Sequence, residues 1–342
     1  MPRHRSNSTG RALLAFATSA WVGATLLYLG GGCTPGNRAQ TRRNDAALKS
    51  YVQGVMAYQS GDTAAAMNNL HAAVNQKGDL VMARSMLGDL YRSKSDYEAA
   101  RQQYEAVAKL DRYEYVNHYR LGLVYQFLNR LQEAAASYLT ALDLKPTDAK
   151  ANMSLGTVYF ALNDPKGALA YAEKAVQYDP KSAAAWVNLA LILDANNEFP
   201  RAEDAYRKSL EIDSDSPVTR LYLGENLLAQ KKFAEARSVF GELVRLQDGP
   251  LHRKRYGDAY LAEKNFAEAV NQYQAALKLD PVYYPALNEI GVTYVADYEK
   301  GLGLDDSKRK AALEAWQQSL SINRAQPRIT ALVQKYAKAP AF

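Results

Sequence analysis

The residue with the most distinctive chemistry is Cys33, the only thiol in a chain of 342 residues. A thiol can attack a carbonyl, ligate a metal or carry a lipid, but a single cysteine cannot form an intramolecular disulfide. It lies in "YLGGGCTPGNRAQ", residues 28–40, directly behind apolar and small residues and before a polar stretch. The function of this thiol therefore depends on the segments that flank it.

The other residue types that could support catalysis are scattered. None of the histidines has a second histidine three or four residues away, so no metal-binding pair is predicted. No serine or cysteine lies in a nucleophile elbow, and no phosphate-binding loop is present. "GLGLDD" follows a predicted helix rather than a strand and lacks the lysine of a phosphate-binding loop, so it is predicted to be a flexible loop. "DSDS" is predicted to be a helix-capping turn. The sequence predicts neither enzyme, cofactor, metal site nor small-molecule substrate; the histidines are His4, His71, His118 and His252.

The charge balance excludes another class of function. The chain carries 42 basic and 36 acidic residues, a formal net charge of +6. Residues 1–32 contain three arginines and no acidic residue, so residues 33–342 carry only about +3. This value is too small, and the charges are too interspersed, to indicate a nucleic-acid surface.

The N-terminus has the pattern of an export signal. Three arginines in residues 1–11 precede the uncharged run Ala12 to Leu29. The small residues before Cys33 resemble the lipobox of bacterial lipoproteins, although Gly30 replaces the usual leucine. The resemblance implies a signal peptide over 1–32, cleaved before a lipidated Cys33, and a tether over 33–46. An uncleaved anchor is the alternative, because 18 apolar residues can just span a bilayer. Either reading places the body in the cell envelope, facing the periplasm or exterior.

The rest of the chain is self-similar at a period of 34 residues. In residues 118–146, Leu121, Gly122 and Tyr125 share one face of a first helix, and Ala134 and Tyr138 one face of a second. The small residues are expected to let the helix axes approach, with the tyrosines filling the gaps on either side. One ladder of small residues runs Gly54, Gly88, Gly122, Gly156, Ala190, Gly224, Gly257 and Gly291, and a second runs Ala66, Ala100, Ala134, Ala168, Ala202, Ala236, Ala269 and Ala312.

This period and pattern resemble the tetratricopeptide repeat. The resemblance implies an all-α, right-handed superhelical solenoid of about eight helix-turn-helix repeats. About nine extra residues of repeat eight are expected in its inter-helix loop, and residues 324–342 are expected to form a capping helix and tail. The predicted repeats are 47–80, 81–114, 115–148, 149–182, 183–216, 217–249, 250–283 and 284–323.

First helices of this family line a concave groove that receives peptides, so residues off their packing positions are the candidate binding residues. They mix aromatic side chains with cations, which suits an extended partner with acidic or aromatic side chains. Arg120, Lys150 and Asn188 fall on positions of the carboxylate clamp found in chaperone-binding members, but not in the required combination. The candidates are Tyr51, Tyr58, Arg92, Tyr119, Arg120, Lys150, Phe160, Asn188, Tyr222, Lys254 and Arg255.

The resulting hypothesis is a non-catalytic, membrane-anchored scaffold that binds a partner protein or peptide within an envelope assembly. Pilus, secretion, outer-membrane and polysaccharide-export machineries are the settings that the resemblance to bacterial lipoproteins implies. Two alternatives remain open: a regulatory subunit of an envelope enzyme, such as a glycosyltransferase or peptidoglycan hydrolase, and a cytoplasmic adaptor. The fold class alone does not decide among them.

Overall fold

The computed structural model describes residues 35–337, and this part of the chain consists of seventeen helices without a strand. Cys33 and the predicted signal peptide, residues 1–32, lie outside the described residues. No helix within the described range is long and apolar enough to cross a membrane. The helices are α1 (Pro35–Gln59), α2 (Thr63–Gln76), α3 (Val81–Ser93), α4 (Tyr97–Leu110), α5 (Tyr115–Phe127), α6 (Leu131–Leu144), α7 (Ala149–Ala161), α8 (Pro165–Tyr178), α9 (Ala183–Ala195), α10 (Phe199–Ile212), α11 (Pro217–Ala229), α12 (Phe233–Leu246), α13 (Pro250–Ala262), α14 (Phe266–Leu279), α15 (Tyr284–Lys300), α16 (Asp306–Ile322) and α17 (Pro327–Ala337).

Sixteen of these helices form eight hairpins that stack in chain order into an all-α solenoid. Each first helix packs most extensively against the second helix of its own repeat, and each second helix packs against the next first helix. First helices of adjacent repeats, such as α7 and α9 or α13 and α15, also contact one another, whereas adjacent second helices lack contacts of that extent. The first helices therefore lie on the inner, concave side of the stack.

The two ladders of small residues are buried as the sequence predicts. All eight ladder alanines have no exposed surface. Five of the seven ladder glycines, however, make room for an aromatic ring, whereas Gly156 lies against the backbone of Ala168 and Ala172 as expected. A Cβ atom at Gly122 would lie 2.7 Å from the ring of Tyr138, and one at Gly88 would lie 2.7 Å from the ring of Tyr104. The aromatic side chain thus lies directly on the glycine, and not beside it as expected.

The connections within and between repeats follow local chemistry. The turn inside each of the first seven repeats contains one residue at positive φ, for example Asn129 and Asn163, because asparagine tolerates the left-handed region. Asp and Ser side chains cap many helix N-termini, and Ser216 of "DSDS" accepts a hydrogen bond from the amide of Thr219, 3.3 Å away. His118 donates from Nε2 to the carbonyl oxygen of Arg112, 2.9 Å away, and so secures the inter-repeat turn.

The extra residues of repeat eight do not all lie in its inter-helix loop, as the sequence analysis expected. Its first helix, α15, and its second helix, α16, each have 17 residues, against 13 and 14 in most repeats. Only five residues, 301–305, connect them. Most of the insertion therefore lengthens the helices and only a small part lengthens the loop. The tip exposes Leu302 and Leu304, each by 82%.

The C-terminal helix α17 caps the last repeat, as predicted. Ile329 and Tyr336 of α17 are buried against Trp316 and Val295 of repeat eight. The hydroxyl of Tyr336 donates to Glu299 at 2.5 Å. The helix α17 therefore covers the apolar face of repeat eight, which a further repeat would otherwise cover.

The first helix begins earlier than the predicted repeat. α1 starts at Pro35 and runs without a break into repeat one, so residues 35–46 of the predicted tether are helical. Residues 39–46 of this extension are largely exposed, and the first buried side chain is Ala47. The extension therefore projects from the solenoid without adding to its core.

Candidate functional site: the inner groove of the first helices

The inner groove is the surface formed by first-helix residues that precede the small ladder residue by two or three positions or follow it by one or four. It divides into two parts by composition. The apolar middle, in repeats three to six, consists of Tyr119, Leu123, Met153, Val187, Leu191, Leu221, Tyr222 and Leu228. The charged end, in repeats six to eight, consists of Glu225, Lys254, Arg255, Asp258 and Glu289.

Side chains of the apolar middle are partly buried. Their inward parts pack against the core of the repeats, and the remainder forms the groove surface. The ring of Tyr119 lies 5.7 Å from that of the buried Tyr138, which orients it. Burial raises the pKa of Tyr119, so its hydroxyl stays protonated. The middle therefore offers a fixed, apolar surface bordered by hydroxyl donors.

Polar pairs join neighbouring first helices along the same face. The residue after a ladder position contacts the residue two before the next ladder position: Asp89 lies 3.4 Å from Arg120, and Asn188 donates to Thr157 at 2.9 Å. These pairs link one repeat to the next, so they help to fix the spacing of the groove floor.

Charged groups at the end of the groove neutralise one another. Arg255 lies 2.6 Å from Glu225, and Lys254 lies 2.8 Å from Asp258. Asp258 also accepts a hydrogen bond from the buried Tyr273 hydroxyl at 3.0 Å. Burial raises the pKa of Glu289, and the nearby positive charge of Lys254 offsets only part of this effect.

The residues predicted from the sequence fall into three groups in the structure. Tyr58, Lys150 and Phe160 are exposed. Tyr51, Tyr119, Tyr222 and Asn188 are partly buried, with their inner parts in the core or in an inter-repeat hydrogen bond. The cations Arg92, Arg120, Lys254 and Arg255 lie within 4 Å of acidic side chains of the same surface.

These ion pairs change the electrostatic expectation for the groove. Four acidic residues that the sequence analysis did not select, Asp89, Glu225, Asp258 and Glu289, stand beside the cations that it did. Their signal was present in the sequence, since three of them directly follow a ladder glycine. The cations are therefore already compensated within the chain, which removes the reason to expect an acidic partner.

In the part of the chain that the structure describes, no group of three or more His, Cys, Asp or Glu side chains is arranged to hold a metal ion. The surface chemistry of the inner groove is that of aromatic and aliphatic side chains with paired charges.

Comparison with protein families agrees with the repeat architecture. Tetratricopeptide repeat models match residues 51–115, 119–177 and 155–217, and a second repeat model matches residues 257–297. The chain belongs to the tetratricopeptide repeat family. Members of this family generally act as non-catalytic scaffolds that bind protein or peptide partners. A comparison with curated proteins found no match.

Solved structures share the fold of this tetratricopeptide repeat chain. A tetratricopeptide repeat protein from Parabacteroides merdae is 15% identical, with a TM-score of 0.55 over 69% of this chain and 94% of that one. PilF of Pseudomonas aeruginosa is 20% identical, with a TM-score of 0.53 over 65% and 99%. PilW, a type IV pilus biogenesis factor, is 22% identical, with a TM-score of 0.53 over 60% and 94%. At these identities the likeness establishes the fold alone.

Proposed function

We propose that this protein is a non-catalytic scaffold of the cell envelope, anchored to a membrane through Cys33, that binds a partner protein in its inner groove. The observation that carries the proposal is the apolar middle: a row of partly exposed aromatic and aliphatic side chains on the concave side of repeats three to six, with polar residues such as Thr157 and Asn188 between them. Such surfaces serve protein association when polar residues border them.

The chemistry of the groove indicates an apolar partner segment rather than an acidic one. The inner cations have acidic neighbours, and the side chains between them are Leu, Val, Met and Tyr. Aromatic residues on a preformed surface contribute most of the binding energy at interfaces. Tyr119 and Tyr222 border the apolar middle and are the residues that we expect to dominate affinity.

Support for the envelope setting comes from the sequence and from one similar fold. The export-signal pattern and the lone Cys33 favour lipidation. PilW is a type IV pilus biogenesis factor with the same fold. We propose a comparable role in assembling an envelope machine, with the groove holding one component.

Site-specific photo-crosslinking tests the groove. A photoreactive phenylalanine analogue replaces Leu191 in the middle of the groove, and in a matched control it replaces Asp204, an exposed residue of the second helix α10. We expect one dominant crosslinked partner from position 191 and none from position 204. The same product from both positions, or from position 204 alone, would refute the groove as the binding surface.

Metabolic labelling with a fatty acid tests the anchor. Wild-type protein should incorporate the label and remain with membranes, and Cys33→Ala should lose the label and retain its signal segment. A Cys33→Ala variant that is labelled and processed like the parent would overturn the lipoprotein assignment. Two acyl chains are needed for stable attachment, so partial labelling predicts partial release.

A further inference from the structure

The inner groove ends in a cavity of about 290 Å³ between α15 and the start of α17. It lies beside the charged end, where the first helix of repeat eight meets the cap. Its walls combine one carboxyl group, one guanidinium group, a tyrosine ring, amide groups and aliphatic side chains. The residues that matter here are Asn288, Glu289, Val292, Gln326, Arg328 and Ile329.

Among the described residues, Glu289 and Asp194 are the inner-groove acids without a close counter-ion, and the carboxylate of Asp194 instead accepts hydrogen bonds from Asn226 and Tyr206. Asp89, Glu225 and Asp258 each lie within 3.4 Å of a cation. The ammonium nitrogen of Lys254 is 3.8 Å from Glu289 and only 2.8 Å from Asp258, so its charge is committed to Asp258. Arg328 lines the same cavity, yet no ion pair joins it to Glu289 among the described residues.

The sequence explains this imbalance. In the polar pairs between repeats, an acid or hydroxyl on one first helix faces a cation or amide on the next, as in Asp89 with Arg120 and Glu225 with Arg255. The corresponding pair of repeats seven and eight is Asp258 and Glu289, which are both acids. At the inner-groove positions of repeats six to eight, three carboxylates, Glu225, Asp258 and Glu289, thus share two cations, Lys254 and Arg255.

We propose that this cavity receives an ammonium or guanidinium group of the partner segment, with Glu289 as its counter-ion. The inference rests on the proposed function of the groove and names a second feature of the same partner. Val292 and Ile329 would contact the aliphatic part of a lysine or arginine side chain, and the amides of Asn288 and Gln326 line its path. A charge-assisted hydrogen bond in this partly buried setting is stronger than one in water.

The position of the cavity sets the order of features in the partner. Packed helices lie about 8–10 Å apart, so two to three repeats separate the apolar middle from the cavity by about 20–30 Å. An extended segment covers that distance in about six to nine residues. The partner should therefore carry an apolar stretch and, at this spacing, a basic residue.

Binding of a model side chain tests the cavity. N-acetyl-lysine-N-methylamide is titrated into the detergent-solubilised full-length protein, and binding is followed by saturation-transfer NMR, with the norleucine analogue as the uncharged control. We expect the lysine probe to bind more tightly than the norleucine probe. Glu289→Gln should weaken the lysine probe at least tenfold, whereas Glu225→Gln, which alters an acid already paired with Arg255, should leave it within twofold.

Arg328→Gln gives an independent test in a variant whose carboxylate is intact. Removing a positive charge from the cavity wall should tighten the lysine probe. Equal binding of both probes, or unchanged lysine binding in Glu289→Gln, would overturn the cation site. If position 191 still crosslinks its partner in that case, the groove function stands and only the cation site is wrong. Loss of crosslinking with lysine binding retained would instead refute the groove function.

Discussion

The middle and the end of the inner groove are built on the same core but expose opposite chemistry. In repeats three and seven the first helix places a glycine against a buried tyrosine of the second helix, Gly122 against Tyr138 and Gly257 against Tyr273. On the inner face, repeat three presents Tyr119 and Leu123, whereas repeat seven presents Lys254 and Asp258. The repeat pattern therefore fixes the scaffold, and the residues between its ladder positions are free to differ from one repeat to the next.

The largest expected loss of stability comes from substitutions in the shared core, and it should be equal in both regions. Gly122→Ala and Gly257→Ala each place a Cβ atom against a tyrosine ring that has no exposed surface. Overpacking of this kind costs about 1–3 kcal/mol, which urea unfolding followed by circular dichroism would measure. Gly78→Ala is the control, because its nearest neighbour would be 3.7 Å away. A large difference in stability between the variants of repeats three and seven would show that the two repeats do not share the same core packing.

A smaller effect should distinguish the two regions by their response to salt. Arg255→Ala leaves Glu225 without its cation at the charged end, and we expect a loss of about 1 kcal/mol because the pair is partly exposed. The difference from wild type should shrink in 1 M NaCl. Asn188→Ala removes a neutral hydrogen bond to Thr157 in the middle, and its cost of about 1 kcal/mol should not depend on salt. Unfolding at two salt concentrations checks both, and equal salt responses would contradict the division.

Glu289 should make the charged end sensitive to pH. Its pKa is raised chiefly by burial, so the folded state holds this proton more tightly than the unfolded state. The stability that Glu289 contributes is fully present below the pKa of this residue in the unfolded chain, and it is lost as pH rises through its pKa in the folded chain. Glu289→Gln should therefore be more stable than wild type at neutral pH, with the difference vanishing in acid, as thermal unfolding across pH 4 to 8 would show.

Asp248 is a control for that experiment, because its contribution to stability depends on pH in the opposite direction. Its hydrogen bonds from Arg253 lower its pKa, so its contribution is present at neutral pH and is lost as pH falls. Asp248→Asn should be less stable than wild type at neutral pH, and the two should converge in acid. If both variants shifted in the same direction, the assignment of the Glu289 environment would be wrong.

The smallest expected change in stability concerns repeat six, where the apolar middle and the charged end meet. Arg84 and Arg253 each donate to a glutamine of their own second helix, Gln103 and Gln272, at 3.1 and 3.0 Å. Arg220 holds the equivalent place in repeat six, but Val239 stands where the glutamine would be, and Nη1 of Arg220 is buried without a hydrogen-bond partner among the described residues.

Val239→Gln should supply that acceptor in repeat six. We expect stabilisation of a few tenths of a kcal/mol, because the new hydrogen bond is offset by lost apolar burial. Val187→Gln, on the inner face of repeat five, is the matched control and should not stabilise. Thermal unfolding of the two variants would show whether the missing acceptor is the cause.

The sequence supported accurate prediction of the scaffold, because the ladders repeat eight times and each copy reinforces the register of the others. The all-α fold, the pairing of helices and the cap at Pro327 followed from that register. Repeat eight was harder, since a single insertion of unknown conformation has no second copy to reveal that it extends α15 and α16. The character of the groove was predicted only in part. Aromatic and basic residues were found by position. Asp89 and Glu225 also occupy a repeated position, directly after a ladder glycine, but their pairing with the cations depends on contacts between residues about thirty positions apart.

The unbroken helix α1 has a mechanical consequence under the proposed anchoring. Pro35 lies two residues after Cys33, and residues 35–47 form a helix that rises about 1.5 Å per residue before the first core side chain at Ala47. Residues 35–47 would then act as a rigid strut of nearly 20 Å rather than as a flexible cord. Such a strut would hold the solenoid and its groove at a nearly constant distance from Pro35.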